Sequence, residues 1–377
     1  MAGTMVTTNI LQTVVAMGLD ALRQQVVLPK ILNRQYEQEI VGSRKGATVN
    51  VAVPSAITAR SVTADVVPPA VTAITPTSVS VTLDQWYEAP FAMDDKAIAQ
   101  TLRGIIPMQL SEAIKALANN IDDYLWSLFD SSAGIYGYTG TAGTTPFASA
   151  VTNYLDARAI ANNQLMPMDD RYVILDADAE ANALALRPFQ DAGYGGGKGV
   201  IVAGDIGYKM GAQWLMSQNV PTHTETNSPS SWLVNDASVA VGDTTLTVDG
   251  GSGAPVAGDV FVIAGSTQTY SVESATSTVI TMRPNITYAY ADNAALTFKG
   301  SYVLNALLHR DVAAFAMAPL VQTQQVPGDM QATAIDEDSG LSLRLEVTRQ
   351  YKQTQWALDA LYGGASIRPE LGVIIAG

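Results

Sequence analysis

Residues 45–88 constrain this chain more than any other segment, because they read as extended backbone with nowhere of their own to go. One end is Thr48-Val49-Asn50-Val51-Ala52-Val53-Pro54 and the other is Ser78-Val79-Ser80-Val81-Thr82-Leu83. Both alternate apolar and polar side chains with period two, the mark of a half-buried strand. Pro68, Pro69 and Pro76 lie between them and forbid regular pairing at the tip, since proline has no N–H to give a ladder. A lone two-stranded hairpin is marginal in water, and loops beyond about 12–15 residues are uncommon unless they serve a function. The segment is therefore expected to cover a surface on another molecule, as in a component of something larger.

Composition agrees. The 377 residues are 47% hydrophobic, ample for a core, and only 15% charged, below the ~25% usual for soluble domains. A subunit that hides surface in contacts can carry few charges, and an Ala- and Thr-rich composition gives the same figure. Acidic residues outnumber basic ones 35 to 21, for a net charge of −14. That argues against a phosphate-gripping nucleic-acid binder and against docking on anionic membranes. There are no cysteines, so disulfides, thiolate metal sites and cysteine nucleophiles are excluded. No basic region precedes an apolar stretch at residues 1–9, and no 18-residue apolar run occurs, so neither a signal peptide nor a membrane span is expected.

Ile10, Leu11, Val14, Val15, Leu19, Leu22 and Val26 have helical spacing, with Thr8 or Asn9 as a cap. Asp94 and Asp95 can cap a helix through Ile98 and Leu102, interrupted by Gly104 and Pro107. Leu110, Ile114, Leu117, Ile121, Leu125 and Leu128 then predict a rod of roughly 33 Å whose apolar stripe needs a partner along its length. Residues 131–150 read as a flexible loop. A helix over 154–165, a strand Arg171-Tyr172-Val173-Ile174-Leu175 and a helix capped by Asp176 follow, which predicts a mixed α/β or α+β domain.

From 228 to 300 helical periodicity stops. Short strands are predicted at 238–241, 244–248, 259–264, 268–273, 278–282 and 295–298, with Gly-marked turns, as in a small β barrel or sandwich inserted in the larger domain. Residues 305–318 are apolar and predict a helix. Leu341, Leu343, Leu345 and Val347 alternate with Ser342, Arg344, Glu346 and Thr348 as a strand, with a hairpin partner running through Trp356-Ala357-Leu358 to Gly364.

No catalytic motif survives inspection. The two histidines, His223 and His309, fall in no recognisable triad spacing and are expected to be packed or surface side chains. The loop Gly193-Tyr194-Gly195-Gly196-Gly197-Lys198-Gly199 fails the P-loop pattern, with Ala192 where the first Gly belongs and Gly199 where Ser or Thr belongs. Asp176, Asp178 and Glu180 have a calcium-loop rhythm, but Ala181 and Arg187 occupy its obligatory Gly and acidic positions; they suit a helix N-terminus instead. Asp336-Glu337-Asp338 reads as a solvated turn. Gly364-Ala365-Ser366-Ile367 ends in Arg368, not the Gly of a nucleophile elbow. Paired acids of glycosidase type have no sequence spacing to test, and nothing points to such a pair. No catalytic, cofactor-binding or metal-binding residue is expected.

Several segments in order resemble the major capsid (coat) proteins of tailed double-stranded-DNA bacteriophages, with the Hong Kong 97 fold, and most of all the Salmonella podovirus branch with an inserted β domain. They are Gly46-Ala47-Thr48-Val49-Asn50-Val51, Val79-Ser80-Val81-Thr82-Leu83-Asp84-Gln85-Trp86, Arg171-Tyr172-Val173-Ile174-Leu175, Val220-Pro221-Thr222-His223-Thr224, His309-Arg310-Asp311-Val312-Ala313, and Leu361-Tyr362-Gly363-Gly364 with Arg368-Pro369-Glu370. The resemblance implies an α+β fold with an N-terminal arm at 1–44 and an extended β-hairpin loop at 45–90. It implies a peripheral domain at 91–150 and 319–377 with a long spine helix, an axial domain at 151–227 and 301–318, and the inserted β domain at 228–300. It implies a non-enzymatic protein that self-assembles, as hexamers and pentamers, into an icosahedral shell around the genome. Its place would be the virion, after synthesis in the host bacterial cytoplasm. Implied partners are a portal protein and a separate scaffolding protein, since 44 residues are too few for a built-in scaffold; a decoration protein is left open. The −14 charge would suit the lining of a DNA-filled cavity. No Lys lies between Lys45 and Lys96, so the lysine isopeptide bond that can weld subunits of this fold is not expected. Two rivals stay open: an encapsulin-type cellular compartment shell, and a hydrolase or carbohydrate-binding protein with the β module as its binding unit.

Overall fold

In the computed structural model the described residues begin at 14; residues 1–13, 36–47, most of 54–76, 101–104, 191–205, 226–230, 321–328 and 336–340, with a few single positions, lie outside them. The expected Thr8 or Asn9 cap, the glycine loop at 193–199 and the acidic turn at 336–338 thus fall outside. The architecture is mixed α+β and rich in sheet.

Of the predicted N-terminal helix, 14–19 and 21–22 are helical. Val15, Leu19, Leu22 and Val26 are buried in the main core, and a short helix α1 (Leu28–Ile31) follows. Asp94 Oδ1 accepts from the Ala97 amide at 2.5 Å and caps α2 (Asp95–Gln100). Helix α3 (Ile105–Phe129) is the predicted rod. Pro107 sits in its first turn, where a missing N–H breaks no helical bond. Leu110, Ile114, Leu117, Ile121 and Leu125 are buried, and Leu128 is half-buried against the same core.

The surface under that stripe is a five-stranded sheet. Its long strand β19 (Gln353–Ser366) pairs with β3 (Gln85–Asp94) on one side, and with β18 (Ser342–Gln350) and β16 (Ala313–Ala318) on the other; β17 (Asp329–Ile335) borders β18. Helix and sheet approach closely at Gly364. The Tyr124 hydroxyl donates to its carbonyl (3.2 Å) and accepts from its amide (3.1 Å), and a methyl group there would meet Leu128 at 3.0 Å.

A seven-stranded sheet carries the second layer. Strands β4 (Gly137–Gly140), β20 (Gly372–Ala376), β15 (Tyr302–His309), β5 (Arg171–Leu175), β7 (Ala212–Met216) and β6 (Gly207–Lys209) lie in that order, and β8 (Thr222–His223) pairs with the start of β15. Helix α4 (Thr152–Asn163) covers β4 and β20. Asp176 caps α5 (Ala177–Ala185) by accepting from the Asp178 amide at 3.2 Å, as its sequence predicts.

Strands β9 (Leu233–Val234), β10 (Thr245–Asp249), β11 (Val260–Ile263), β12 (Thr269–Ala275), β13 (Val279–Arg283) and β14 (Leu296–Phe298) make the predicted insert. It is a barrel rather than a sandwich. The bridge from Leu233 to Ala295 and the Leu296 amide bond to the Trp232 carbonyl (2.9 Å) join its first strand to its last. Trp232, Leu246, Phe261, Tyr270, Ile280 and Met282 fill a core separate from the main one.

Four expectations are corrected. Residues 305–318 are not a helix: β15 and β16 occupy them, joined by a 3-10 turn at Arg310–Val312. A continuous apolar run does not separate a buried helix from a strand buried on both faces, and β15 and β16 are buried along nearly their whole length. The stretch 131–150 is not a flexible loop, because β4 within it pairs in parallel with β20 and Ile135 and Phe147 are buried. The segment 238–241 gives only a bridge from Val239 to Tyr290. Finally, the 45–88 hairpin does bury part of itself: its root lies on the chain's own sheet.

Candidate functional site

Strands β1 (Thr48–Val53) and β2 (Thr77–Thr82) pair antiparallel with Val49 opposite Val81 and Val51 opposite Val79. One face is a polar ladder in water: Thr48 and Thr82 hydroxyls lie 3.2 Å apart, and Ser80 donates to Asn50 Oδ1 at 2.7 Å. The other face packs Val49, Val51, Val81 and Leu83 on Ala314 and Ala316 of β16. The approach is so close that a Cβ at Gly363 would sit 1.9 Å from the Thr82 carbonyl oxygen. Beyond the root, Ile57, Val62 and Ile74 are 78%, 83% and 66% exposed.

The chain leaves β2 directly into β3, whose ladder partner among the described residues is β19 alone. Of its ten residues every second one turns its backbone groups outward, and Pro90 has no N–H to offer, so the outer edge is a short template for a further strand. Trp86 is 64% exposed on it, held by its indole N–H to Asp359 Oδ2 at 3.2 Å, and Phe91 stacks on Trp356. Among the described residues, the exposed apolar side chains beyond the root, the polar ladder and the aromatic edge strand follow one another along the chain. Their chemistry is that of a contact surface, with apolar area and unpaired strand edge rather than convergent reactive groups.

The residues weighed for chemistry lie elsewhere and apart. His309 is buried; burial lowers its pKa, and Nδ1 accepts from the Asp311 amide at 3.1 Å. His223 is buried between two carboxylates, Nδ1 2.6 Å from Asp130 Oδ1 and Nε2 2.9 Å from Asp259 Oδ1. Both ring nitrogens are engaged, so neither can take a proton from a nucleophile. The sequence could not reveal this trio, whose members are 93 and 36 residues apart. Asp122 of α3 is likewise buried. Its carboxylate accepts from the amides of Val27 and Leu28 at 3.2–3.4 Å, and burial raises its pKa to about 7. It fastens the N-terminal segment to the long helix. Among the described residues no three His, Asp or Glu side chains are grouped to hold a metal ion, and no helix is long and apolar enough to cross a membrane.

No family profile and no curated protein matches the sequence. Solved structures do match. A structure from Mycobacterium phage Che8 is 17% identical, with 93% of this chain and 90% of that one aligned at a TM-score of 0.51. The chain shares the fold of that phage structure over nearly its whole length. Two further structures align less closely. The capsid of the cyanophage P-SCSP1u is 12% identical over 88% of this chain and 83% of its own, with a TM-score of 0.46. The mature capsid of bacteriophage PhiM1 is 10% identical over 89% and 82%, with a TM-score of 0.47.

Proposed function

We propose that this capsid-fold chain is the major capsid protein of a tailed phage, a structural subunit that builds the shell by binding copies of itself. The observation that carries the reading is the segment from the hairpin through β3. It is rooted on the chain's own sheet, exposed beyond, and set on a fold that matches the Che8 structure over nearly its whole length.

In this reading the Hong Kong 97 divisions apply. Residues 1–44 are the arm, 45–90 the extended loop and α3 the spine. Residues 91–150 with 319–377 are peripheral, 151–227 with 301–318 axial, and 228–300 the insert. Sheets cut across these bounds at β4 and β20, which share a layer with β5 and β15, because pairing rather than chain order assigns a strand to its layer. Scaffolding and portal proteins are the partners such a subunit requires, and the virion is its place.

Electron microscopy of the expressed protein, alone and with a co-expressed scaffold, tests the proposal. Capsomers or closed shells are expected. A subunit that stays solitary at every concentration and with every scaffold tried, by sedimentation as well as by imaging, overturns it.

A further inference from the structure

Three parts of the fold converge on His223. The residue ends β8, which pairs with β15 of the seven-stranded sheet. Asp130, on its Nδ1, follows the last residue of α3. Asp259, on its Nε2, precedes β11 of the barrel. A neutral imidazole has one N–H, so two flanking carboxylates are both satisfied only by the imidazolium. Asp259 is wholly buried, and its other oxygen is taken by the Val256 amide at 2.7 Å. Without the cation it would be an uncompensated buried charge. The barrel backbone comes in close: Gly258 has a φ of +94°, and a Cβ there would lie 3.0 Å from Asp130 Oδ1 and 3.3 Å from the imidazole. Tyr302 stacks on the ring at 5.1 Å, and its hydroxyl donates to the Gly258 carbonyl at 3.4 Å. Across this junction the barrel keeps a hydrophobic core of its own.

We propose that His223 is a titratable latch between the body and the inserted barrel: protonated, it ties the barrel to the end of the long helix, and on losing its proton it frees the junction while the barrel stays folded. The titratable groups facing the imidazole are Asp130 from the helix, Asp259 from the barrel and Tyr302 from β15, with Tyr138 of β4 edge-on behind Tyr302. Burial alone pushes the imidazole down, but hydrogen bonds and charge from the two aspartates override it and carry the pKa up to about 9. Burial also raises Tyr138 to about 12 and Tyr302 well above its ordinary value. Both phenols are therefore neutral throughout, and an opening near pH 9 belongs to the histidine. The inference does not depend on the capsid reading.

The test combines NMR titration of the two imidazoles with hydrogen exchange corrected for the intrinsic effect of pH, on the full chain and on H223Q and D259N. His223 is expected to titrate near pH 9. Exchange at 256–260 and at Tyr302 should rise by about tenfold or more between about pH 7.5 and 9.5, while 246–248 and 270–272 stay protected. D259N should lower the His223 titration and shift the opening by the same interval; H223Q should abolish the pH dependence. Titration of His223 near its ordinary value, flat exchange at the junction, or loss of the barrel core together with the junction each overturns the latch. If H223Q does not fold, wild type and D259N still decide.

Discussion

Arg344 and Asp359 face each other across β18 and β19 in a buried two-pronged pair, with Nε 3.1 Å from Oδ1 and Nη2 2.5 Å from Oδ2. Trp86 of β3 adds a third donor to the same carboxylate. One buried acid thus ties three strands of the sheet beneath α3. Removing it leaves the half-desolvated guanidinium the longer contact to Glu346 Oε2, at 3.7 Å. D359A is expected to cost roughly 3–5 kcal/mol of subunit stability, read from the urea midpoint of dissociated protein. A loss below ~1 kcal/mol would show that solvent reaches the arginine.

Gly363 lets the hairpin root lie down. With its Cβ 1.9 Å from a backbone oxygen, G363A must push β2 away from β19. Overpacking of this kind costs about 1–3 kcal/mol. The sharper readout is hydrogen exchange: the amides of Val51 and Val81 should lose protection while those of β5 do not. Gly300, where a Cβ would meet its nearest neighbour at 3.9 Å, is the control, and G300A should match wild type.

Asp122 predicts a dependence on pH of definite sign. Its folded pKa, near 7, stands above the ordinary 3.8 because burial penalises the charge. The unfolded chain therefore gives up this proton first. The stabilising contribution is full below about pH 3.8 and is lost as pH rises to 7, a change on the order of 4 kcal/mol. D122N should flatten this part of the profile and be the more stable protein at pH 8. Parallel urea curves for the two proteins from pH 4 to 8 would contradict it.

The exposed tip should matter for assembly and not for folding. Replacing Ile57, Val62 and Ile74 together by serine removes apolar area that is already in water, so subunit stability should change by less than about 0.5 kcal/mol. Shell yield by electron microscopy should fall sharply. Normal shells from the triple variant would move the contact surface elsewhere.

Shells boiled in detergent should run as single chains. With no lysine between Lys45 and Lys96, the extended loop beyond its first residue has no amine to form a cross-link. A ladder of covalent multimers would refute this.

Local pattern made much of this legible. The period-two runs gave the two strands of the hairpin, Leu110 through Leu125 gave the long helix and its buried face, Asp176 gave a helix cap, and the loss of helical period after 228 gave a set of short strands, barrel or sandwich. Each is written in the spacing of neighbouring residues. The apolar run at 305–318 fits helix and strand alike until the residues that cover it are known, and two strands occupy it. Alternation marks β18 as a strand but does not say that a second layer lies on its polar side, where Ser342 and Arg344 are buried.

The sequence by itself determined the hairpin strands, the long helix and the helix capped by Asp176, since water on one side imposes a period on the residues. The tertiary structure alone decided where the hairpin root lies, which strands share a sheet, and that His223 stands between Asp130 and Asp259. Those depend on packing and charge between residues tens to hundreds of positions apart, and no local spacing encodes a distance across the fold.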